Sequence, residues 1–175
     1  MRVVLIAAQS LDGFITQHDE PGAAFTSPED KAYFQTVLAD FDCCVLGAET
    51  YRVSREFIRS QSPGRPLRLV LTRSPDRFSA DAIPGSLEFT NGTPAAVLTG
   101  LQRRGLEQCA LLGGAQIHSL FFEAGLVDQL WLTVEPRLFG GGTPLFARRL
   151  DARLALRSVE KLGANTLLLK YAVAR

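Results

Sequence analysis

At 175 residues, with 46% hydrophobic and 21% charged residues, the chain reads as one soluble globular domain over residues 1–175, long enough to bury a sizeable core. Its net charge of +1 and the lack of any basic run interleaved with aromatics give no footprint for nucleic acid, a membrane surface or a strongly acidic partner. The three cysteines, two of them adjacent (Cys43, Cys44) and all in apolar runs, form neither a disulfide framework nor a zinc-ligand spacing, so a reducing, cytoplasmic setting and no metal are expected.

Val3 to Ala8 is a continuous, partly β-branched apolar run, read as a buried strand of a parallel sheet. It is too short to span a membrane, and the polar loop that follows argues against a signal peptide. Gln9 to Thr26 is a long loop with turn signals at Asp12-Gly13 and Pro21-Gly22, and the apolar pair Phe14 and Ile15 inside it is expected to pack over something. Ser27-Pro28-Glu29-Asp30 opens a helix that runs to about Ala39, with Ser as N-cap, Pro in the first helical position and acids in the first turn. A strand follows at Cys43–Leu46, then Gly47, a helix from about Glu49 to Ile58 and a loop from Gln61 to Pro66. Leu67–Leu71 is a strand ending in Thr72-Arg73-Ser74-Pro75; residues 76–86 read as loop, Leu87–Thr90 as a short strand, and Thr93 or Pro94 opens a helix to Arg104.

The stretch from Cys109 to Gly142 organises the rest. An apolar strand (109–112) stops at Gly113-Gly114, a helix with Ile117, Leu120 and Phe121 on one face ends at Gly125, and a strand runs from Gln129 to Val134: a βαβ unit. An irregular loop with Gly140-Gly141-Gly142 follows. Leu154–Leu162 and Thr166–Val173, joined by the turn Gly163-Ala164-Asn165, form an antiparallel hairpin. About five strands with intervening helices and a β-rich tail predict a three-layer α/β fold: a mostly parallel central sheet with an antiparallel C-terminal hairpin.

In such sheets ligands sit beyond the carboxyl ends of the parallel strands. Four segments converge there: Gln9–Ile15, Gly47–Thr50, Thr72–Ser74 and Gly113–Gln116. A strand that turns through glycine into a helix offers bare N–H groups and a partial positive charge to a phosphate, although the same glycines suit a plain tight turn. Two such junctions suit a diphosphate. Arg73 beside Ser74 suits a separate phosphate monoester, or is simply an exposed loop arginine. One monophosphate plus one diphosphate describes NADPH. No GxGxxG fingerprint, Walker lysine motif or GxSxG occurs, and His18 and His118 each stand alone: His18 reads as a solvated loop residue, His118 as surface or half-buried.

SLDGFI (10–15), SPEDKAYF (27–34), VLGAETYR (45–52), LTRS (71–74), LLGGAQIHSLFFEAGLVDQLWLTVEP (111–136) and the GGG loop (140–142) together resemble the dihydrofolate reductase-like superfamily. The chain is most similar to the reductase domain of the bifunctional riboflavin-biosynthesis deaminase-reductase and its stand-alone relatives. The resemblance implies an NADPH-dependent reductase, often a homodimer, acting on a small heterocyclic or ribosylamino-pyrimidine substrate. By that resemblance the diphosphate site falls on Gly113, Gly114, Ala115, Gln116 and Ile117, with Gly47 and Thr50 as a second phosphate-side contact. Thr72, Arg73 and Ser74 fall on the 2′-phosphate segment, and Ala8 and Ile15 flank nicotinamide. Asp30 takes the place of the helix carboxylate that holds the substrate heterocycle and helps protonate it, and Asp12 lies in the substrate-side loop. Both have bland readings as well: Asp30 as part of a capping box with Ser27, Asp12 as a turn former. The chain departs from the riboflavin reductases at Leu112, where they carry glutamate, and in a shorter loop after its second strand; it departs from dihydrofolate reductases in having no tryptophan in the first loop. A dihydrofolate or pterin reductase, and a non-catalytic nucleotide-binding dimeric module, are the alternatives.

Overall fold

The computed structural model of the chain describes residues 1–64 and 66–174; the expected loop from Gln61 to Pro66 therefore lies partly outside the described residues, at Arg65. In chain order the elements are β1 (Arg2–Ser10), α1 (Pro28–Val37), β2 (Cys43–Gly47), α2 (Ala48–Ser60), β3 (Leu67–Leu71), β4 (Leu87–Thr90), α3 (Pro94–Arg103), β5 (Gln108–Gly113), α4 (Ala115–Glu123), β6 (Gln129–Glu135), β7 (Leu154–Lys161) and β8 (Leu167–Val173). Short 3-10 turns cover Leu38–Asp40 and Pro75–Asp81, the second inside the segment expected to be loop.

The strands form one eight-stranded sheet in the order β4-β3-β2-β5-β1-β6-β8-β7. β4 through β6 in that order are parallel, which makes six parallel strands where the sequence suggested about five, and the β7–β8 hairpin continues the sheet antiparallel. The two strands of the βαβ unit, β5 and β6, do not pair; β1 lies between them. A β1 apolar on both faces is what that central position requires, because helices cover both sides.

On one face Val3, Leu5, Val45, Leu69 and Leu111 pack under Leu98 and Leu101 of α3 and Ile117 and Phe121 of α4. On the other, Val4, Ile6, Cys44, Leu46 and Val70 pack under Val37 of α1 and Tyr51 and Ile58 of α2. Tyr51 is fully buried against Phe78 and Phe89, and its hydroxyl donates to Asp81 at 2.8 Å. Arg55 grips the same carboxylate through Nε and Nη2, both at 2.7 Å, so the 3-10 turn after β3 is fastened to α2.

Local sequence sets the helix starts. Ser27 caps α1 by accepting from the Asp30 N–H at 3.2 Å, and Thr93 caps α3 by accepting from Ala96; each is followed by proline. α2 and α4 begin differently: their N-caps are Gly47 and Gly114, with no side chain on the first N–H groups.

Candidate active site

The two uncapped helices start at the carboxyl ends of β2 and β5, which are hydrogen-bonded neighbours. Their free N–H groups therefore open side by side on one rim, and their partial positive charges add. A methyl on Gly47 would come within 2.9 Å of Ile117 Cγ1 and 3.6 Å of the Gly113 carbonyl oxygen, so the two junctions interlock. A methyl on Gly114 would sit 3.5 Å from Thr50 Oγ1 and 4.0 Å from Ile15 Cδ1; it would fill the hollow between the helix starts and the first loop. That hollow is open because the residue is glycine.

Gly113 itself has φ +92°, and a side chain there would run into the ring of His118. His118 is not at the surface: it is 1% exposed, its Nδ1 lies 2.9 Å from the Leu145 carbonyl oxygen and its Nε2 has no partner. Burial pulls its pKa down to about 4, against a smaller upward pull from the Leu145 bond. The neutral ring, with Nδ1–H donating to Leu145, is thus the floor on which the Gly113-Gly114 turn rests.

The rim continues on both sides. Thr72–Ser74 leaves β3, next to β2, and Ala8 lies in β1, next to β5. With neighbouring strands about 4.8 Å apart, the three steps from β3 to β1 span about 14 Å. All the expected cofactor residues except Gly113 line a single cleft of about 2000 Å³: Ala8, Ile15, Gly47, Thr50, Thr72, Arg73, Ser74, Gly114, Ala115, Gln116 and Ile117. Arg77 joins Arg73 there, carried round by the 3-10 turn; reading that turn as loop hid it. Leu112 also lines the cleft and presents an apolar surface where the resemblance would place a carboxylate.

Asp30 lies at the β1/β6 end of the same cleft. It is only 8% exposed, and its carboxylate accepts from the hydroxyls of Thr133 and Thr26. Thr133 pairs in register with Ala8, so the carboxyl sits beside the strand end that the resemblance places against nicotinamide. Desolvation, and then the charge of Glu135, raise the Asp30 pKa against the downward pull of the two hydroxyls. The capping box expected with Ser27 forms only by half. Ser27 takes the Asp30 N–H, but the reciprocal bond to the Ser27 N–H comes from Glu135 at 2.8 Å, and the Asp30 side chain is left to the cleft.

Asp12 lies outside the cleft lining. Its carboxylate accepts from Ser10 Oγ at 2.5 Å, the Gly140 N–H at 2.7 Å and the Phe139 N–H at 3.0 Å, and these bonds hold its pKa below the usual carboxylate value. It clips the first loop to the glycine-rich loop. Leu11, Ile15 and Thr143 extend the clip through bonds to Arg137, Thr143 and Thr16, and so Ile15 is braced where it lines the cleft. Among the described residues no cluster of three or more His, Cys, Asp or Glu is placed to hold a metal ion, and no helix is long and apolar enough to cross a membrane.

A family model described as the RibD C-terminal domain matches residues 2–168. The uncharacterised protein YwjB of Bacillus subtilis is 28% identical over 175 residues, covering 93% of this chain and 92% of its own. Among solved structures, a pyrimidine reductase-like protein from Corynebacterium diphtheriae superposes with a TM-score of 0.80 at 20% identity, covering 99% of this chain and 92% of the other. A diaminohydroxyphosphoribosylaminopyrimidine deaminase/5-amino-6-(5-phosphoribosylamino)uracil reductase from Thermotoga maritima superposes with a TM-score of 0.79 at 17% identity; 99% of this chain matches 56% of that larger protein. What these structures share with the chain is the dihydrofolate reductase-like fold.

Proposed function

Because the chain belongs to the RibD C-terminal domain family, we propose that it is an NADPH-dependent reductase that delivers hydride to a heterocyclic or ribosylamino-pyrimidine type substrate of riboflavin biosynthesis. One observation carries the reading: the ends of β3, β2, β5 and β1 stand in a row, with two bare helix starts in the middle, Arg73 and Arg77 at one end and a buried carboxyl at the other. The residues fit the cofactor on the geometry of the Gly114 hollow, where even a methyl would occupy the space beside Thr50 and Ile15. The N–H groups at Gly47–Thr50 and Gly114–Gln116 would hold the diphosphate, and Arg73, with Thr72 and Ser74, the 2′-phosphate.

When bound, the cofactor supplies the hydride. Ala8 and Ile15 flank the reacting end and exclude water, and holding donor and acceptor at about 3–3.5 Å supplies much of the rate. Asp30 orients the substrate and provides the proton. Asp12 acts at a distance, as the clip that keeps the first loop in place. The reading extends to a homodimer. β7 is an edge strand, and Leu154, Leu156 and Val159 stand opposite Val173, Tyr171 and Leu169, which makes one apolar face that sedimentation analysis can test.

The test is titration of NADPH and NADH against the protein and its Arg73→Ala variant. NADPH is expected to bind at least about tenfold more tightly than NADH, and the variant to lose that preference while NADH affinity changes by less than about twofold. Equal weakening of both removes Arg73 from the 2′-phosphate role; no binding of either sinks the assignment.

A further inference from the structure

The cleft of about 2000 Å³ is larger than the roughly 300–1,000 Å³ of an ordinary ligand site. Below the rim it runs on as a groove between α1 and α2. Phe34 and the C-cap residue Leu38 wall it on the α1 side, Val53 and Phe57 on the α2 side, each pair four residues apart and so on one helix face. Val53 and Phe57 are 45% and 51% exposed, large apolar side chains left half open. Cys44 and Leu46 of β2 form the floor.

Arg68 stands at the inner end of that groove and lines it. It lies three residues before Leu71, the carboxyl end of β3, which puts it about 10 Å below the rim. It pairs in register with Cys44, shares the sheet face of Val70 and is only 7% exposed. Its guanidinium has five donors. The bond it makes among the described residues runs from Nη1 to the Pro66 carbonyl oxygen at 3.4 Å, longer than an ordinary N–H···O bond. Among the described residues no aspartate or glutamate forms an ion pair with it. Cys44 does not supply the missing charge: burial pushes its thiol up to about 12, against the downward pull of Arg68, so it stays protonated at neutral pH.

A buried cation with no counter-charge and one long hydrogen bond costs folding free energy. An anion brought in by a ligand would satisfy it through charge-assisted bonds, strengthened by the apolar walls. The register fixes how far that anion lies from the reacting end. The row of Arg68 runs through Cys44, Ala110 and Val4, and Ala8 is four residues further along β1. Arg68 is therefore about 13 Å down the sheet from Ala8 and three strands across from it. Even with the reach of an arginine side chain, the anion would sit on the order of 10 Å or more from Ala8, so its carrier must be long.

We propose that Arg68 is an anion-recognition residue and that the groove between α1 and α2 takes an elongated ligand, with an apolar body along the helices and a carboxylate or phosphate at Arg68. Calling that ligand the substrate rests on the reductase reading; the anion site does not. The probes are biphenyl-4-carboxylate, biphenyl-4-yl phosphate and the neutral biphenyl-4-carboxamide. Each is titrated into the ¹⁵N-labelled full chain and followed by the arginine Nε–H signals, that of Arg68 being identified by its loss in Arg68→Met. At least one anion is expected to bind about tenfold or more tightly than the amide and to move the Arg68 signal. The tighter of the two anions tells carboxylate from phosphate. The preference disappears in Arg68→Met and survives both Arg73→Ala and an excess of NADPH. The proposal is overturned if neither anion outbinds the amide, if the preference persists in Arg68→Met, or if Arg73→Ala or NADPH abolishes it, which would put the anion at the rim. Arg68→Met should also keep the thermal midpoint of the parent or raise it, because an unpaired buried cation does not hold a fold together. A fall of more than about 5 °C, or a variant that does not fold, marks Arg68 as structural and overturns the proposal as well. A protein that selects anions through Arg68 but binds no NADPH keeps this site and sinks the reductase reading; the reverse result removes Arg68 alone.

Discussion

Acidification from pH 7 to pH 4 should loosen this protein through one buried histidine. His118 is buried, and its pKa falls from the ordinary 6.5 to about 4 because the charged ring would be desolvated; the Leu145 carbonyl opposes this only in part. The unfolded chain takes up a proton near pH 6.5 and the folded protein does not until about pH 4, so the stability due to the neutral ring is complete above 6.5 and is lost as the pH falls between those values. At about 1.4 kcal/mol per unit the loss is roughly 3 kcal/mol, a large part of the stability of an ordinary domain. Other groups also contribute to the acid slope: Asp81 is held low by Arg55, and Glu88 by Arg104. The test is therefore a difference. Urea unfolding at pH 7, 6, 5 and 4 is compared between the protein and His118→Asn, which keeps a donor near the Leu145 carbonyl but cannot titrate. The variant starts lower, because the ring is lost from its contact with Phe146, and its stability falls less steeply by roughly 3 kcal/mol over the range. Parallel slopes would refute the idea that a neutral histidine supports the Gly113-Gly114 turn.

Asp30→Asn should lower kcat by roughly 10²–10⁴-fold and yet raise the thermal midpoint at pH 8. The folded-state pKa is raised, so the carboxylate costs stability once the pH exceeds it; differential scanning calorimetry should find that gain fading as the pH falls toward the ordinary carboxylate value. Gly47→Ala forces a methyl to 2.9 Å from Ile117 Cγ1 and should cost about 1–3 kcal/mol in chemical denaturation. Because Ile117 stands in the first turn of α4, NADPH affinity should fall with it, and unchanged affinity would separate the two helix starts functionally.

Much of the framework was readable because it is local. Leu67–Leu71 and Leu87–Thr90 match the sequence reading at both ends, where apolar runs stop at turn residues. β1 runs on to Ser10 past the expected end at Ala8, because pairing with β6 carries a buried polar residue into the strand. The glycine junctions were legible as strand-to-helix turns, but only the order of the sheet puts Gly47 and Gly113 side by side. His118, surface or half-buried by sequence, is buried in the fold because Gly113 has no side chain to displace its ring, which no local periodicity reports. Asp12 could be read as a turn former, but its partners at Phe139 and Gly140 lie too far along the chain for spacing to reveal. Glu135 ends β6, one residue beyond the strand end that the sequence suggests, and its parity with Thr133 is the local sign that both face inward.

The cleft divides its work at β1, and the two halves have opposite physical requirements. On the β2–β5 side, the proposed phosphate site, the groups on offer are backbone N–H groups, so side chains must be kept away from them. Glycine N-caps do this, and the ring of the buried His118 beneath supports the turn. On the β6 side the proposed proton donor, Asp30, sits in a largely dry site, and desolvation raises its pKa. The clip from Asp12 to the glycine-rich loop braces Ile15, which lines the cleft. A carboxyl on the phosphate side would repel its ligand, and an open backbone on the proton side would admit water. The chain meets both needs with one sheet because β1, apolar from Val3 to Ala8, lies between β5 and β6.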